Sequence, residues 1–115
     1  MNSLYSRFIK ETLDWDILED EDSFVTYQIQ KNKNDKCLKI CEMFIDKNSR
    51  GRNKSKYLLE KLKEIAVKNN CNIFSAQISQ TASEFIKQRS IHICRLFGMN
   101  KIYEDSMVIL YSRGL

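Results

Sequence analysis

Proline is absent from the 115 residues and glycine occurs only three times, so the usual residues that break helices and strands are scarce. Asn, Asp and Ser must therefore form most turns. Histidine occurs once, and the four cysteines, Cys37, Cys41, Cys71 and Cys94, include no C-x-x-C pair. The usual zinc ligand sets are excluded by this composition. We expect no metal, and reduced cysteines that lie in the core.

Long apolar runs are missing as well. No segment approaches the roughly 20 apolar residues of a membrane helix, and the N-terminus lacks the apolar stretch of a secretory signal. The sequence therefore predicts a cytoplasmic protein with no membrane partner. With 115 residues, 43% of them hydrophobic, one core can form but not two, so a single domain over residues 1–115 is expected.

Basic residues are concentrated in one loop. The net charge is only +4, but five of the ten residues from Lys47 to Lys56 are basic and none is acidic. The loop follows the apolar run CLKICEMFI and leads into a helical pattern. The start of a helix has unpaired N–H groups and the positive end of the helix dipole. The loop is therefore a candidate site for an anion such as diphosphate.

Hydrophobic spacing predicts the order helix, strand, strand, helix, strand, helix, and one or two final strands. The expected helices cover residues 2–13, 53–69 and about 81–97, and the expected strands begin at residue 23 and cover 36–45, 73–78 and 102–111. A hairpin before the strand at 36–45 and a helical crossover after it imply a mixed sheet. The carboxyl end of that central strand leads directly into the basic loop, where α/β sheets bind ligands.

The segment EMFIDKNSRGRNKSKYLL, from Glu42 to Leu59, is similar to the strand, loop and helix motif of the GNAT (general N-acetyltransferase) superfamily, roughly E-I/L-Y/F-V-x-P-x-Y/F-R-G-x-G. The later segments EIAVKNNC and RLFGMNKIYEDSMVILY resemble the family's following elements. The likeness covers about residues 22–112 and is greatest to compact, phage-encoded members. It implies an α/β (α+β) fold, a mixed central sheet flanked by helices. The front end is shortened, because the family's first strand and second helix are missing.

The same resemblance implies a site for acetyl-CoA. Its diphosphate would contact main-chain N–H groups of Arg50, Gly51, Arg52, Asn53, Lys54 and Ser55, with the basic side chains adding screened attraction. Phe44 and Ile45 would offer main-chain groups to the pantetheine arm, while their side chains belong to the core. The family's R-x-x-G-x-G/A becomes Arg50-x-x-Asn53-x-Ser55 here. Asn tolerates left-handed backbone and Ser adds only a hydroxyl, so the loop can still form.

Three residues are candidates for proton transfer. Glu42 shares an alternating strand face with Ile40 and Phe44, so covering that face would desolvate its carboxylate and make it a better general base. The alternative is a structural pair with an arginine. His92 is either an acid or base, or an ordinary packing or surface residue. Cys94 stands where the family often has a tyrosine that reprotonates coenzyme A, so it would act weakly, be acylated, or be simply buried.

The residues leave three functions open. The first is an acetyl-CoA-dependent N-acetyltransferase that acts by direct transfer on an amine of a small molecule or a protein lysine. The second is a catalytically degenerate GNAT-fold protein that binds or inhibits a host system, in the host cytoplasm if phage-encoded. The third, a nucleic-acid-binding domain, is disfavoured because no aromatic residues are interleaved with the basic cluster. Whether two copies of the chain form a homodimer is left open.

Overall fold

In a computed structural model that describes residues 3–51 and 53–115, three helices and six strands form one layered unit. The helices are α1 (Leu4–Leu13), α2 (Lys54–Lys68) and α3 (Glu84–Leu96), and the strands are β1 (Asp16–Glu19), β2 (Ser23–Lys31), β3 (Lys36–Ile45), β4 (Ile73–Ser79), β5 (Asn100–Glu104) and β6 (Val108–Gly114). Arg52, one of the residues expected at the diphosphate, lies outside the described residues.

The strands lie in the order β1-β2-β3-β4-β6-β5. The β3–β4 pair is parallel and the other neighbours are antiparallel, so the expected mixed α/β sheet is confirmed. Strand β1 was not expected, because the predicted helix ended at residue 13 and the first predicted strand began at residue 23. Its four residues are too few to show a pattern, and pairing with β2 forms the strand.

Helices α2 and α3 cover one face of the sheet, which we call the helix face. It carries the core side chains of the two central strands, Leu38 and Ile40 from β3 and Phe74, Ala76 and Ile78 from β4. Leu62 of α2 is fully buried in the same cluster, and the Phe74 ring lies 5.4 Å from that of Phe97, which follows α3. Helix α1 lies at the opposite face, which we call the α1 face.

A bulge in β3 decides which side chains lie on each face. Thr26 of β2 pairs with Glu42, whereas the next residue, Tyr27, pairs with Ile40, so Cys41 is an extra residue. A one-residue slip exchanges the two faces of a strand. The expected shared face of Glu42 and Ile40 is therefore wrong, since Glu42 points to the α1 face and is exposed.

The bulge also separates the two residues expected to contact pantetheine. Ile45 stays on the helix face and is 4% exposed, which agrees with its expected place in the core. Phe44 turns with Glu42 to the α1 face, where 49% of its surface is exposed, so its expected core position is wrong. Met43 replaces it in the layer packed against the core.

The helix ends follow local backbone chemistry. Asn53, the N-cap of α2, has φ 57° and no side-chain capping bond, which confirms that asparagine takes the left-handed conformation in this loop. Helix α3 begins at Glu84 rather than at about residue 81 as expected, because Ser83 is its N-cap and accepts a hydrogen bond from Ile86 N at 3.3 Å. Gly98 follows α3 with φ 81°. None of the helices described over residues 3–51 and 53–115 is long and apolar enough to cross a membrane.

The left-handed backbone at Asn53 makes a stability prediction. We expect Asn53→Ala to lower the free energy of unfolding by about 1 kcal/mol, because the left-handed conformation is strained for alanine. No capping bond is lost in this variant. Asn53→Gly should change it by much less, since relief of strain offsets the extra freedom of the unfolded chain. Urea denaturation of the three proteins measures both values. An equal loss of unfolding free energy in the two variants would contradict a left-handed backbone at Asn53.

Candidate active site

Strands β3 and β4 part in the middle of the sheet. Their parallel pairing runs from Cys37 with Ile73 to Ile40 with Ala76 and then stops, although β3 continues to Ile45 and β4 to Ser79. Past this point β3 remains paired with β2, and β4 with β6. The facing edges of β3 and β4 are therefore left without a neighbouring strand. We call the space between them the wedge.

A cavity of about 390 Å³ fills the wedge. It is lined by residues of β3, β4, α2, α3 and the segments beside them: Ile40, Cys41, Glu42, Met43, Leu59, Ala76, Gln77, Ile78, Ser79, Ala82, Ile86, Ser90, Ile93, Cys94 and Met99. Most of these side chains are apolar, and Glu42 is the only ionisable carboxylate among them. A narrow apolar space with one carboxylate at its edge suits a thioester arm and a proton acceptor.

The strand register shows which main-chain groups face the wedge. Asp46 N donates to Asp22 O at 2.7 Å across the β2–β3 hairpin. Since hydrogen-bonded pairs alternate along an antiparallel ladder, the main chain of Phe44 is paired with β2, while that of Ile45 faces the wedge. The main chains of Met43 and Ile45 thus face the wedge, with the Ile45 carbonyl oxygen accepting from Arg50 Nε, whereas the main chain of Phe44 does not.

Glu42 is held by two hydroxyl groups on the α1 face. The Tyr5 hydroxyl donates to Glu42 Oε1, and Thr26 Oγ1 donates to the same oxygen at 3.3 Å. Thr26 is fully buried, which fixes this side of the carboxylate. Both donors use Oε1, so Oε2 is left for other partners. The hydrogen bond to Glu42, together with partial burial, raises the pKa of Tyr5 to about 12, so its hydroxyl remains a donor at neutral pH.

Sequence analysis missed Tyr5. It belongs to α1, which the helical periodicity predicted correctly, but it lies 37 positions from Glu42 in the chain. Its ring packs edge-on against Phe24, with 5.7 Å between ring centroids. Within one sequence nothing links a tyrosine on the first helix with a carboxylate on the third strand. The contact arises only when α1 folds onto the sheet.

The other two candidates for proton transfer lie in different surroundings. Cys94 lines the cavity, is 5% exposed, and has a pKa raised to about 11 by burial. Its thiol is therefore protonated at neutral pH, which disfavours acylation and leaves weak proton donation. His92 is exposed and is not one of the described residues that line the cavity, so the structure does not bring it to Glu42 or Cys94.

The basic loop carries less free charge than its sequence suggests. Lys54 Nζ lies 2.6 Å from Asp20 Oδ2 and 3.2 Å from Asp22 Oδ1, so its ammonium is held by the β1–β2 turn. Arg50 Nε donates to Ile45 O at 3.0 Å, and its guanidinium lies over the Phe44 ring. The first turn of α2 contains no acidic residue. Its unpaired N–H groups are thus the main anion-binding feature of the loop.

A second cavity of about 130 Å³ adjoins the wedge on the side of the loop. Its lining residues are Met43, Phe44, Ile45, Arg50, Ile86, Arg89, Ser90 and Ile93. Four of these, Met43, Ile86, Ser90 and Ile93, also line the first cavity. Glu42 lines the first cavity and Arg50 the second, and the shared residues place the two cavities side by side.

No protein-family model matches the chain, and a search of curated proteins finds no match either. Solved structures do match. A chain of the NatC complex bound to Gag peptide and CoA is 11% identical with a TM-score of 0.67, over 81% of this chain and 60% of that chain. NAA60 from Arabidopsis thaliana, in complex with a bisubstrate analogue, is 10% identical with a TM-score of 0.65, over 81% of this chain and 64% of that chain.

An acetyltransferase of the GNAT family from Listeria monocytogenes is also similar, with 10% identity and a TM-score of 0.60, over 82% of this chain and 58% of that chain. The chain thus spans about three fifths of the length of these structures. Identities of this size establish the fold and not the activity. The chain therefore has the GNAT fold.

Proposed function

We propose that the protein transfers the acetyl group of acetyl-CoA directly to an amine. The observation that carries the proposal is the wedge between β3 and β4, whose two adjoining cavities are lined by Glu42 of β3 and by Arg50 of the loop before α2. The fold shared with N-acetyltransferases supports it. The acceptor is an amine of a small molecule or a protein lysine.

In this proposal the coenzyme lies along the wedge. Its pantetheine arm pairs with the free edge of β3 at Met43 and Ile45, as an added strand would. Its diphosphate contacts the open N–H groups at the start of α2, around Ser55, and the terminal nitrogens of Arg50. The side chain of Lys54 takes little part, because Asp20 and Asp22 already hold it. The thioester then lies near Glu42.

The amine attacks the thioester carbonyl carbon, the carbon–sulfur bond breaks, and coenzyme A leaves as a thiolate. Glu42 Oε2 takes the proton that the attacking nitrogen loses, directly or through one water. Free N–H groups on the β3 edge stabilise the oxyanion, and the narrow wedge aligns the reactants. Tyr5 and Thr26 orient the carboxylate through Oε1 and do not touch the reacting atoms.

The second candidate is a catalytically degenerate GNAT-fold protein, of the compact phage-encoded type, that binds or inhibits a host partner in the cytoplasm. The pairing of Lys54 with Asp20 and Asp22 favours it, because a basic loop residue is withdrawn from the diphosphate. The exposure of Glu42 also favours it, since exposed carboxylates are common on protein surfaces that have no catalytic role. Coenzyme binding and turnover, measured separately, distinguish the two candidates.

The first test is ligand-induced stabilisation. We expect acetyl-CoA to raise the melting temperature, since a ligand that binds only the folded state adds about 2.7 kcal/mol at a hundredfold excess over Kd. Differential scanning fluorimetry with acetyl-CoA, and with adenosine as a control that lacks the arm and the diphosphate, measures the effect. No shift at millimolar acetyl-CoA would refute coenzyme binding.

Ser55 tests the position of the diphosphate. We expect Ser55→Gly to leave acetyl-CoA affinity unchanged or to increase it, because glycine restores the family's loop. Ser55→Glu should reduce it at least tenfold, because a carboxylate would face the diphosphate at the start of α2. Isothermal titration of both variants gives the comparison. Equal affinities would place the diphosphate elsewhere.

Glu42 and Tyr5 test the chemistry. We expect Glu42→Gln to keep coenzyme affinity while kcat falls by roughly 10² to 10⁴, because the proton acceptor is removed. Tyr5→Phe keeps the ring packed on Phe24 and removes only the hydroxyl, so kcat should fall by less, about threefold to tenfold, with little change in coenzyme affinity. Thiol release from acetyl-CoA with a panel of amines and lysine peptides reports turnover. A fully active Glu42→Gln protein would remove Glu42 from the mechanism.

A further inference from the structure

We propose that Arg89 of α3 is a second cation for the coenzyme diphosphate, acting across the smaller cavity from Arg50. This inference rests on the proposed function and adds a residue that the basic loop does not contain. The cavity of about 130 Å³ has two charged lining residues in the described chain, Arg50 and Arg89, and no carboxylate. The remaining lining is apolar apart from Ser90.

The two arginines are differently engaged. Arg50 Nε donates to the Ile45 carbonyl oxygen, and the guanidinium carbon lies 5.9 Å from the centroid of the Phe44 ring. The two terminal nitrogens of Arg50 therefore remain as donors. Arg89 is half-buried on α3. Within residues 3–51 and 53–115 its guanidinium makes no hydrogen bond and no ion pair. A half-buried guanidinium is normally paired, so this one is suited to an anion that arrives from outside.

The charges around the loop favour a second cation at this cavity. Lys54 lies between Asp20 and Asp22, so its ammonium is compensated within the protein. A coenzyme diphosphate carries two negative charges, and Arg50 is the one cation of the described loop that lines the smaller cavity. Arginine binds phosphate oxygens in bidentate geometry, and two guanidiniums in one cavity complement two phosphate groups.

The position of the cavity favours a diphosphate that is joined to an arm. The cavity shares Met43 and Ile93 with the wedge, so an anion held there is next to the pantetheine path. A free anion would make contacts with the two arginines alone, whereas the coenzyme would also make the contacts of its arm along β3.

The test compares a ligand that carries the diphosphate with one that lacks it together with the rest of the nucleotide. Isothermal titration uses acetyl-CoA and acetyl-pantetheine, which has the thioester arm but neither diphosphate nor phosphoadenosine, with wild type, Arg89→Gln and the control Arg95→Gln. Arg95 lies on the same helix but is exposed and lines neither cavity. We expect Arg89→Gln to weaken acetyl-CoA binding about tenfold or more and to leave acetyl-pantetheine binding unchanged. Arg95→Gln should change neither, and Arg89→Lys should recover part of the loss.

The outcomes separate this inference from the proposed function. Failure of the wild type to bind acetyl-CoA would overturn the proposed function and this inference with it. Wild-type binding with Arg89→Gln equal to Arg95→Gln for both ligands would overturn only the inference. Equal weakening of both ligands by Arg89→Gln would also overturn it, because the loss would then come from packing. Melting temperatures of all variants, and the milder Arg89→Lys, show whether a change in folding contributes.

Discussion

The extra residue at Cys41 is the constraint on which the rest of this structure depends. Pairing between β3 and β4 ends at Ile40, immediately before the bulge, and the two strands then part. A bulged strand bends and twists more strongly, so β3 leaves β4 while it keeps its pairing with β2. The wedge, its cavity and the free edge of β3 all follow from this separation. The same residue turns Glu42 away from the core and keeps Ile45 within it.

A row of aromatic contacts connects the two ends of the site. Tyr5 packs on Phe24 at 5.7 Å, Phe24 on Phe44 at 6.0 Å, and Phe44 lies 5.9 Å from the guanidinium carbon of Arg50. The first contact holds the residue that orients Glu42, and the last holds the arginine proposed at the diphosphate. Because aromatic pairs have preferred geometries, this row fixes α1, the sheet and the loop relative to one another. Helix α1 thus takes a structural part in the site.

Sequence reasoning could predict what depends on periodicity and local backbone chemistry. The stripe of Leu58, Leu62 and Ala66 defines α2, and an asparagine at position 53 indicates a left-handed residue at its start. It could not predict the bulge, because one extra residue within an apolar strand does not visibly change the hydrophobic pattern of that strand. The error then spread to Glu42 and Phe44, whose faces were assigned by simple alternation. Tyr5 was missed because its contact with Glu42 joins distant segments of the chain, and strand β1 was missed because its four residues are too few to show a pattern.

Charge in the loop shows why counting basic residues misleads. The sequence places five cations between Lys47 and Lys56, yet Lys54 is held by two carboxylates and Arg50 is partly used by a carbonyl and an aromatic ring. These pairs fasten the β1–β2 turn and the end of β3 to the start of α2, so some of the basic residues stabilise the loop. The main-chain N–H groups at the start of α2 and the terminal arginine nitrogens are directional donors, whereas the exposed ammonium groups of Lys47 and Lys56 are point charges on long side chains. Directional donors distinguish anions by shape better than a cluster of mobile lysines does, because their geometry is set before a ligand arrives.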